Sequence, residues 1–320
     1  MPLSQIVSAS IEDGAVAPVD LSSLSQYTGF KNRLINGSAW IAQRGTSFTN
    51  STGNIYTLDR WLSTTVSSNC TVQQITGSTG NNKAIQVTGA AGNATTQLSQ
   101  KIEAANIYDC ASQSVTVSFT ISGSGSGSVG VRFLYPTATD NFTTQTEPVA
   151  GTTVNFTTTP TRYSVTRVLD SNANKGLNLI FERGATGAGV TWTLEDVQLE
   201  KGVTATSFDY RPYGTELALC QRYCLQWNGV NIPYATGQAN SATACYAIIP
   251  YVMRTTPTAA FLNVNVNDAL VANPLSSVTG LSMGGSGGGF GPNSSGLTSG
   301  RCVILYGTGA SSYLRFDAEL

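Results

Sequence analysis

Histidine is absent from this 320-residue sequence. Its absence excludes Ser-His-Asp and Cys-His triads, imidazole general bases and almost every zinc site that relies on imidazole. Charge is also scarce. Asp, Glu, Lys and Arg make up 11% of the residues, against about 25% in an ordinary soluble domain. The 17 basic and 18 acidic residues nearly cancel and form no long run of one sign. A nucleic-acid interface needs a basic surface to displace counterions from phosphates, so nucleic acid is not an expected partner. No stretch approaches the roughly 18 apolar residues of a membrane span, so no membrane insertion is expected. The opening residues, MPLSQIVSASIEDGAVAPVDL, show neither the basic nor the continuous apolar region of a secretory signal; synthesis in a cytosol is the expectation. The six cysteines, Cys70, Cys110, Cys220, Cys224, Cys245 and Cys302, are too sparse for a disulfide scaffold. Thiols made in a cytosol are usually reduced, and these read as small buried apolar side chains.

Apolar residues make up 41% of the chain, enough to bury a core. With so little charge, solubility rests on Ser, Thr, Asn, Gln and Gly. Their short polar side chains compete for backbone hydrogen bonds and favour turns and strand surfaces over helix interiors. The chain therefore reads as all-β, with a length suited to about two domains. Residues 1–29 read as an N-terminal arm, either a frayed terminus or an attachment arm that docks on a partner, with the short extended piece 11–16 (IEDGAV) and a turn signal at Asp13-Gly14. Residues 30–210 carry successive strand-like runs: 56–62 (YTLDRWL), 114–121 (SVTVSFTI), 129–135 (VGVRFLY), 162–168 (RYSVTRV), 177–181 (LNLIF) and 190–199 (VTWTLEDVQL). Alternation at period two puts apolar side chains on one sheet face, as with Val115, Val117, Phe119 and Ile121. The expectation is a jelly-roll β-sandwich. Residues 211–320 read as a smaller β domain opened by one helix over 214–227. There Leu217, Cys220, Cys224 and Trp227 recur at helical spacing and Thr215 is the candidate cap. Strands are expected at 244–249, 259–262, 301–306 and 313–316. The glycine-rich stretch 281–300 reads as an exposed loop.

The search for chemistry is mostly negative. Cys220 and Cys224 lie four apart, which is not the spacing of a zinc knuckle, and core packing accounts for them. The run Gly123–130 (GSGSGSVG) has strands on both sides, whereas a nucleotide loop needs a helix after it; it reads as a hairpin connection. No cofactor and no metal are implied. Asp59, Asp109, Asp140, Glu182, Glu195 and Asp196 could in principle supply a glycosidase pair, but nothing in the sequence sets two of them face to face. Glycan binding without catalysis needs open aromatic faces, for which Trp40, Tyr56, Trp61, Tyr135 and Trp192 are the candidates. Large aromatics on alternating strands more often belong to the core.

Several segments resemble phage virion proteins. The runs 33–37 (RLING), 40–45 (WIAQRG) and 56–61 (YTLDRW) resemble the start of the jelly-roll, carbohydrate-binding-module-like domain of phage tail and fibre proteins. The runs 197–202 (VQLEKG), 205–208 (ATSF), 211–214 (RPYG) and 216–223 (ELALCQRY) resemble the stretch that closes it. Residues 253–257 (MRTTP) and 317–320 (DAEL) resemble the end of such proteins, and 11–16 resembles a short N-terminal repeat of tail-fibre subunits. The resemblance implies a non-enzymatic virion subunit, often a homotrimer. It would mount on other tail or baseplate proteins through residues 1–29 (Ile11, Asp13, Gly14 and Val16 among them) and would face a host-surface glycan with its β domains. A capsid decoration, head fibre or baseplate appendage would use the same domains. A polysaccharide depolymerase and a cellular carbohydrate-binding module are the competing classes.

Overall fold

The computed structural model describes residues 30–320 apart from 52, 81 and 269–271. The arm, with Ile11, Asp13, Gly14 and Val16, lies outside the described residues. What is described is all-β, with two short α-helices, and the strands pair antiparallel throughout.

Thirteen strands make the first unit: β1 (Ser47–Asn50), β2 (Gly53–Tyr56), β3 (Leu62–Val66), β4 (Cys70–Thr76), β5 (Lys83–Gly89), β6 (Thr95–Glu103), β7 (Ser114–Gly123), β8 (Gly127–Ala138), β9 (Asn141–Thr146), β10 (Thr152–Phe156), β11 (Thr161–Val168), β12 (Gly176–Arg183) and β13 (Thr191–Lys201). Helix α1 (Ala104–Ile107) follows β6. One sheet runs β1-β4-β5-β13-β7-β11. The other runs β10-β8-β12-β6-β3-β2, with β9 on β8. The two pack face to face as a sandwich of jelly-roll type. Val115, Val117, Phe119 and Ile121 of β7 are buried against Val129, Val131, Phe133 and Phe181 of the opposite sheet. Phe119 meets Phe181 edge-on at 4.9 Å. Each such side chain stabilises by about 1.5–3 kcal/mol relative to exposure.

After the sandwich, helix α2 (Tyr213–Gln221) leads into β14 (Cys224–Asn228). Then come β15 (Pro233–Ala239), β16 (Cys245–Ile249), β17 (Thr258–Leu262), β18 (Val264–Asn267), β19 (Ala272–Pro274), β20 (Ser277–Gly284), β21 (Gly287–Asn293), β22 (Cys302–Gly307) and β23 (Tyr313–Asp317). A three-stranded sheet, β14-β23-β17, packs on a seven-stranded one, β19-β18-β22-β15-β16-β21-β20. Their shared core centres on Phe290, Phe316, Val303, Leu305 and Val266.

Four expectations are corrected. Residues 56–62 are not one strand. Residues 57–61 turn between β2 and β3, with Arg60 at φ +70°. Long-range bonds hold that turn: Gln43 N–H donates to Asp59, and the Trp61 indole donates to the Asn36 carbonyl. The helix stops at Gln221, is preceded by Pro212 rather than capped by Thr215, and buries Glu216 and Cys220. Its expected second half is β14, because Cys224–Asn228 pairs with β23. The connection between β7 and β8 is not a hairpin: the two strands lie in different sheets, so it crosses the sandwich. The glycine-rich stretch is no loose loop. β20 and β21 pair within it and β21 also pairs with β16, burying Phe290. Glycine serves close approach there, since a Cβ on Gly288 would lie 2.3 Å from the Ser282 carbonyl oxygen.

The end of the chain returns to the sandwich. Arg44 pairs with Asp317 at 2.8 Å and Glu319 at 3.1 Å. Glu103 takes Arg222 at 3.1 Å and Arg254 at 3.8 Å. The junction between the two cores is therefore polar, with Arg44, Glu103 and Glu319 buried in it.

Candidate functional site

Three exposed aromatic rings gather in one place. Trp40 is 40% exposed, Tyr210 60% and Tyr213 60%. With Ser38, Arg211 and Glu216 they line a cleft of about 180 Å³.

Trp40 is carried on a turn that the sequence builds tightly. Asn36 and Ala39 both adopt positive φ, at +58° and +57°. The buried Asn36 side chain donates to the Ile41 carbonyl at 2.8 Å and the Asp59 carbonyl at 3.0 Å, and accepts the Ile41 N–H at 2.9 Å. Between them only glycine fits at position 37, because a Cβ there would stand 2.1 Å from the Val197 carbonyl oxygen. Gln74 donates to the carbonyls of Ala39 and Trp40. The Lys83 ammonium lies 5.6 Å from the centre of the Trp40 ring, a cation–π distance. The indole is thus held from behind before any ligand arrives.

Tyr210 is fixed at both ends. Its hydroxyl donates to Asp196 at 2.9 Å and its ring meets Phe208 edge-on at 4.7 Å. Asp196 sits where β13 breaks register against β7, at φ +48°. Burial pushes the Asp196 carboxyl above its usual range. Burial and the facing Asp196 carboxylate push the Tyr210 phenol up to about 12. Tyr213 opens α2, and Glu216 follows within the first turn. The Glu216 carboxylate accepts the Asn36 N–H and pairs with Arg211 at 3.2 Å. Arg211 also donates to the carbonyls of Leu34 and Asn32. The polar floor of the cleft is therefore bonded and locally charge-balanced, under three open apolar faces. Such a surface can stack on the C–H face of a sugar ring while polar groups meet its hydroxyls.

The sequence-derived candidates do not come together. Trp40 lies in the cleft. Trp61 and Trp192 are fully buried, with indoles donating to the Asn36 carbonyl and to Thr96, so neither offers a ring face to a ligand. Tyr135 is a core residue at the base of a separate pocket. Tyr56 is half-buried at the domain junction, its hydroxyl donating to Leu320 at 2.8 Å. Sequence reasoning missed Tyr210 and Tyr213. For Tyr213 the signal is the RPYG run at 211–214; Tyr210 lies just before it and no pattern marks it. The six carboxylates each have a separate partner: Gln43 for Asp59, Arg33 for Asp109, the Ala104 N–H for Asp140, Arg132 for Glu182, Ser78 and Asn82 for Glu195, and Tyr210 for Asp196. A larger groove, about 500 Å³, runs past Phe30, Arg33 and Lys201. There Arg33 and Lys201 already share Asp109.

No family model matches the sequence, and no curated protein matches it. Solved structures with similarity include a CBM4 structure, at 17% identity and a TM-score of 0.34, covering 52% of this chain and 98% of that one. A putative sugar binding protein from Bacteroides thetaiotaomicron is 13% identical with a TM-score of 0.36, covering 54% and 100%. The enzymatically active domain of bacteriophage CBA120 tailspike protein 4 is 14% identical with a TM-score of 0.34. That match covers 53% of this chain and 21% of the tailspike chain.

Proposed function

We propose that this chain is a non-catalytic structural subunit of a bacteriophage particle, of the tail-fibre kind, that contacts a host-surface glycan through the Trp40–Tyr210–Tyr213 cleft. The observation that carries the glycan part is the convergence of three open aromatic rings on one preorganised polar floor. The virion part is supported by the segments at 33–61 and 197–223 that resemble phage tail proteins.

Self-assembly, as a homotrimer, is supported by what the second domain leaves uncovered. Its edge strand β17 (TAAFL) contains no charged residue and no proline, and only Thr258 and Leu262 at its ends are exposed. Monomeric proteins usually protect such an edge with charge, proline or a bulge. Tyr246 and Ile248 of β16 and Ile304 of β22 are exposed on the two strands that flank β15. Copies of the chain covering these surfaces would also multiply weak glycan contacts on a repetitive cell surface. In this reading residues 1–29 hold the subunit to the particle.

The test has two arms. Native mass spectrometry should give an oligomer, and a bacterial glycan array should give binding that Trp40→Ala and Tyr213→Ala remove. A lone monomer that cleaves a surface polysaccharide, or undiminished glycan binding in both variants, overturns the reading.

A further inference from the structure

A second pocket, about 230 Å³, opens in the sandwich with Phe133, Tyr135 and Leu169 at its base and Pro148, Val149 and Val168 around its mouth. The base belongs to the core: Tyr135 is 3% exposed. The mouth is apolar yet open, with Val149 and Val168 each more than half exposed. Leaving apolar groups around a hole in contact with water is unfavourable in an unfilled state.

The pocket also presents a hydroxyl with a donor to spare. The Tyr135 hydroxyl accepts the Asp170 N–H at 3.2 Å. Among the described residues no acceptor takes the hydroxyl's own proton. A tyrosine hydroxyl can donate as well as accept, and here that donor belongs to a pocket-lining side chain and can serve a group that enters. The neighbouring charges are already engaged. Arg167 donates to the carbonyls of Val149 and Ala150 and to Thr152, with its guanidinium 5.4 Å from the centre of the Phe133 ring. That fixes the mouth. The Asp170 carboxylate accepts from the backbone and side chain of Asn172 through one oxygen, Oδ1. The site therefore offers one hydroxyl donor and an apolar wall, and the Asp170 carboxylate at its edge disfavours an anionic ligand. Its volume is below the roughly 300–1,000 Å³ of pockets for drug-sized molecules, which suits a substituent of a larger ligand.

We propose that this pocket binds the acetamido group of an N-acetylated amino sugar, with the methyl against the Phe133–Val149–Val168 wall and the carbonyl oxygen accepting the Tyr135 hydroxyl proton. The sugar hydroxyls stay at the open mouth, in water. This site is separate from the Trp40 cleft and stands or falls independently of it.

The full chain is titrated by NMR with N-acetylglucosamine and with glucose, which has the same ring without the acetamido group. N-acetylglucosamine should bind and glucose should bind at least about tenfold more weakly. Tyr135→Phe should weaken N-acetylglucosamine roughly two- to tenfold, the effect of one neutral hydrogen bond. Val168→Asp, at a mouth position where folding tolerates a charge, should abolish binding. Trp40→Ala should leave it unchanged. Equal affinity for the two sugars, no binding by the unaltered chain, full binding in Val168→Asp, or loss in Trp40→Ala each overturns the proposal. Should Tyr135→Phe fail to fold, the Val168→Asp and glucose comparisons decide alone.

Discussion

The guanidinium of Arg60 lies over the ring of Tyr223, 3.5 Å from its centre. Arg60 belongs to the turn before β3 and Tyr223 directly precedes β14, so this stack ties one core to the other. Glu319 completes it by pairing with both Arg60 and Arg44, all three side chains being buried. Removing one partner of a buried pair leaves an uncompensated charge and costs about 3–5 kcal/mol. Glu319→Ala should lower the unfolding free energy by about that amount in urea titration, and Glu319→Gln should cost less. An unchanged midpoint would mean that the junction is solvated.

Trp40 and Trp61 should part company on substitution. Trp61→Ala empties the centre of the sandwich and should cost about 3–5 kcal/mol. Trp40→Ala removes a half-open ring from a turn that Asn36 and Gln74 hold independently. It should cost under about 1 kcal/mol while removing glycan binding. Parallel melting curves and binding titrations read both effects.

The alternation at 114–121 was legible because a buried strand face repeats every second residue whatever lies above it. The turn at 57–61 was not, since its hydrogen bonds run to Asn36 and Gln43, which local pattern does not reveal. For the same reason the helical spacing from Leu217 to Trp227 misled. Cys224 is buried by pairing with a strand nearly a hundred residues later, and a strand face buries it as well as a helix face would. Among the candidate aromatics, alternation separates one face of a strand from the other but does not tell which face another sheet covers. Trp192 therefore looked as available as Trp40. Tyr210 and Tyr213 lay beyond the last sandwich strand, where no periodicity marks them.

Tyr210 should titrate near pH 12 rather than at the ordinary value of about 10. The neutral hydroxyl donates to Asp196, and the ionised one would face a second anion. A phenol whose folded-state pKa is raised contributes stability that is present below about pH 10 and is lost as pH rises through about 12. Asp196→Asn should bring the ionisation part of the way down, because burial, the larger cause, remains. Phenolate absorbance against pH, with Tyr210→Phe to identify the step, measures it. No change in Asp196→Asn would dissociate the two groups.

Gly37→Ala tests the turn that presents Trp40. The new methyl would sit 2.1 Å from the Val197 carbonyl oxygen, a backbone atom that cannot rotate away. Overpacking of this kind costs about 1–3 kcal/mol. The turn should shift with it, so glycan affinity should fall together with melting temperature. Ser38→Ala, which adds no volume, should keep the fold.

Cysteine reactivity checks both domains and the assembly at once. Cys70, Cys110, Cys220, Cys224 and Cys245 are buried and Cys302 is exposed, and none is in a disulfide. Burial also raises the Cys220 and Cys224 thiols well above their ordinary range, which keeps the reactive thiolate rare. In the dilute folded chain a maleimide should therefore add once, at Cys302, and the other five should react only in denaturant. Cys302→Ser should abolish the native addition with a stability change within about 0.5 kcal/mol. Cys302 alternates with Val303 along β22, so it shares the outward face with Ile304 and stands beside Gln238, whose other neighbour is Tyr246. If another copy covers that face, labelling should slow as protein concentration rises. Rapid native addition at two or more cysteines would contradict the packing, and a labelling rate independent of concentration would contradict the use of this face in self-assembly.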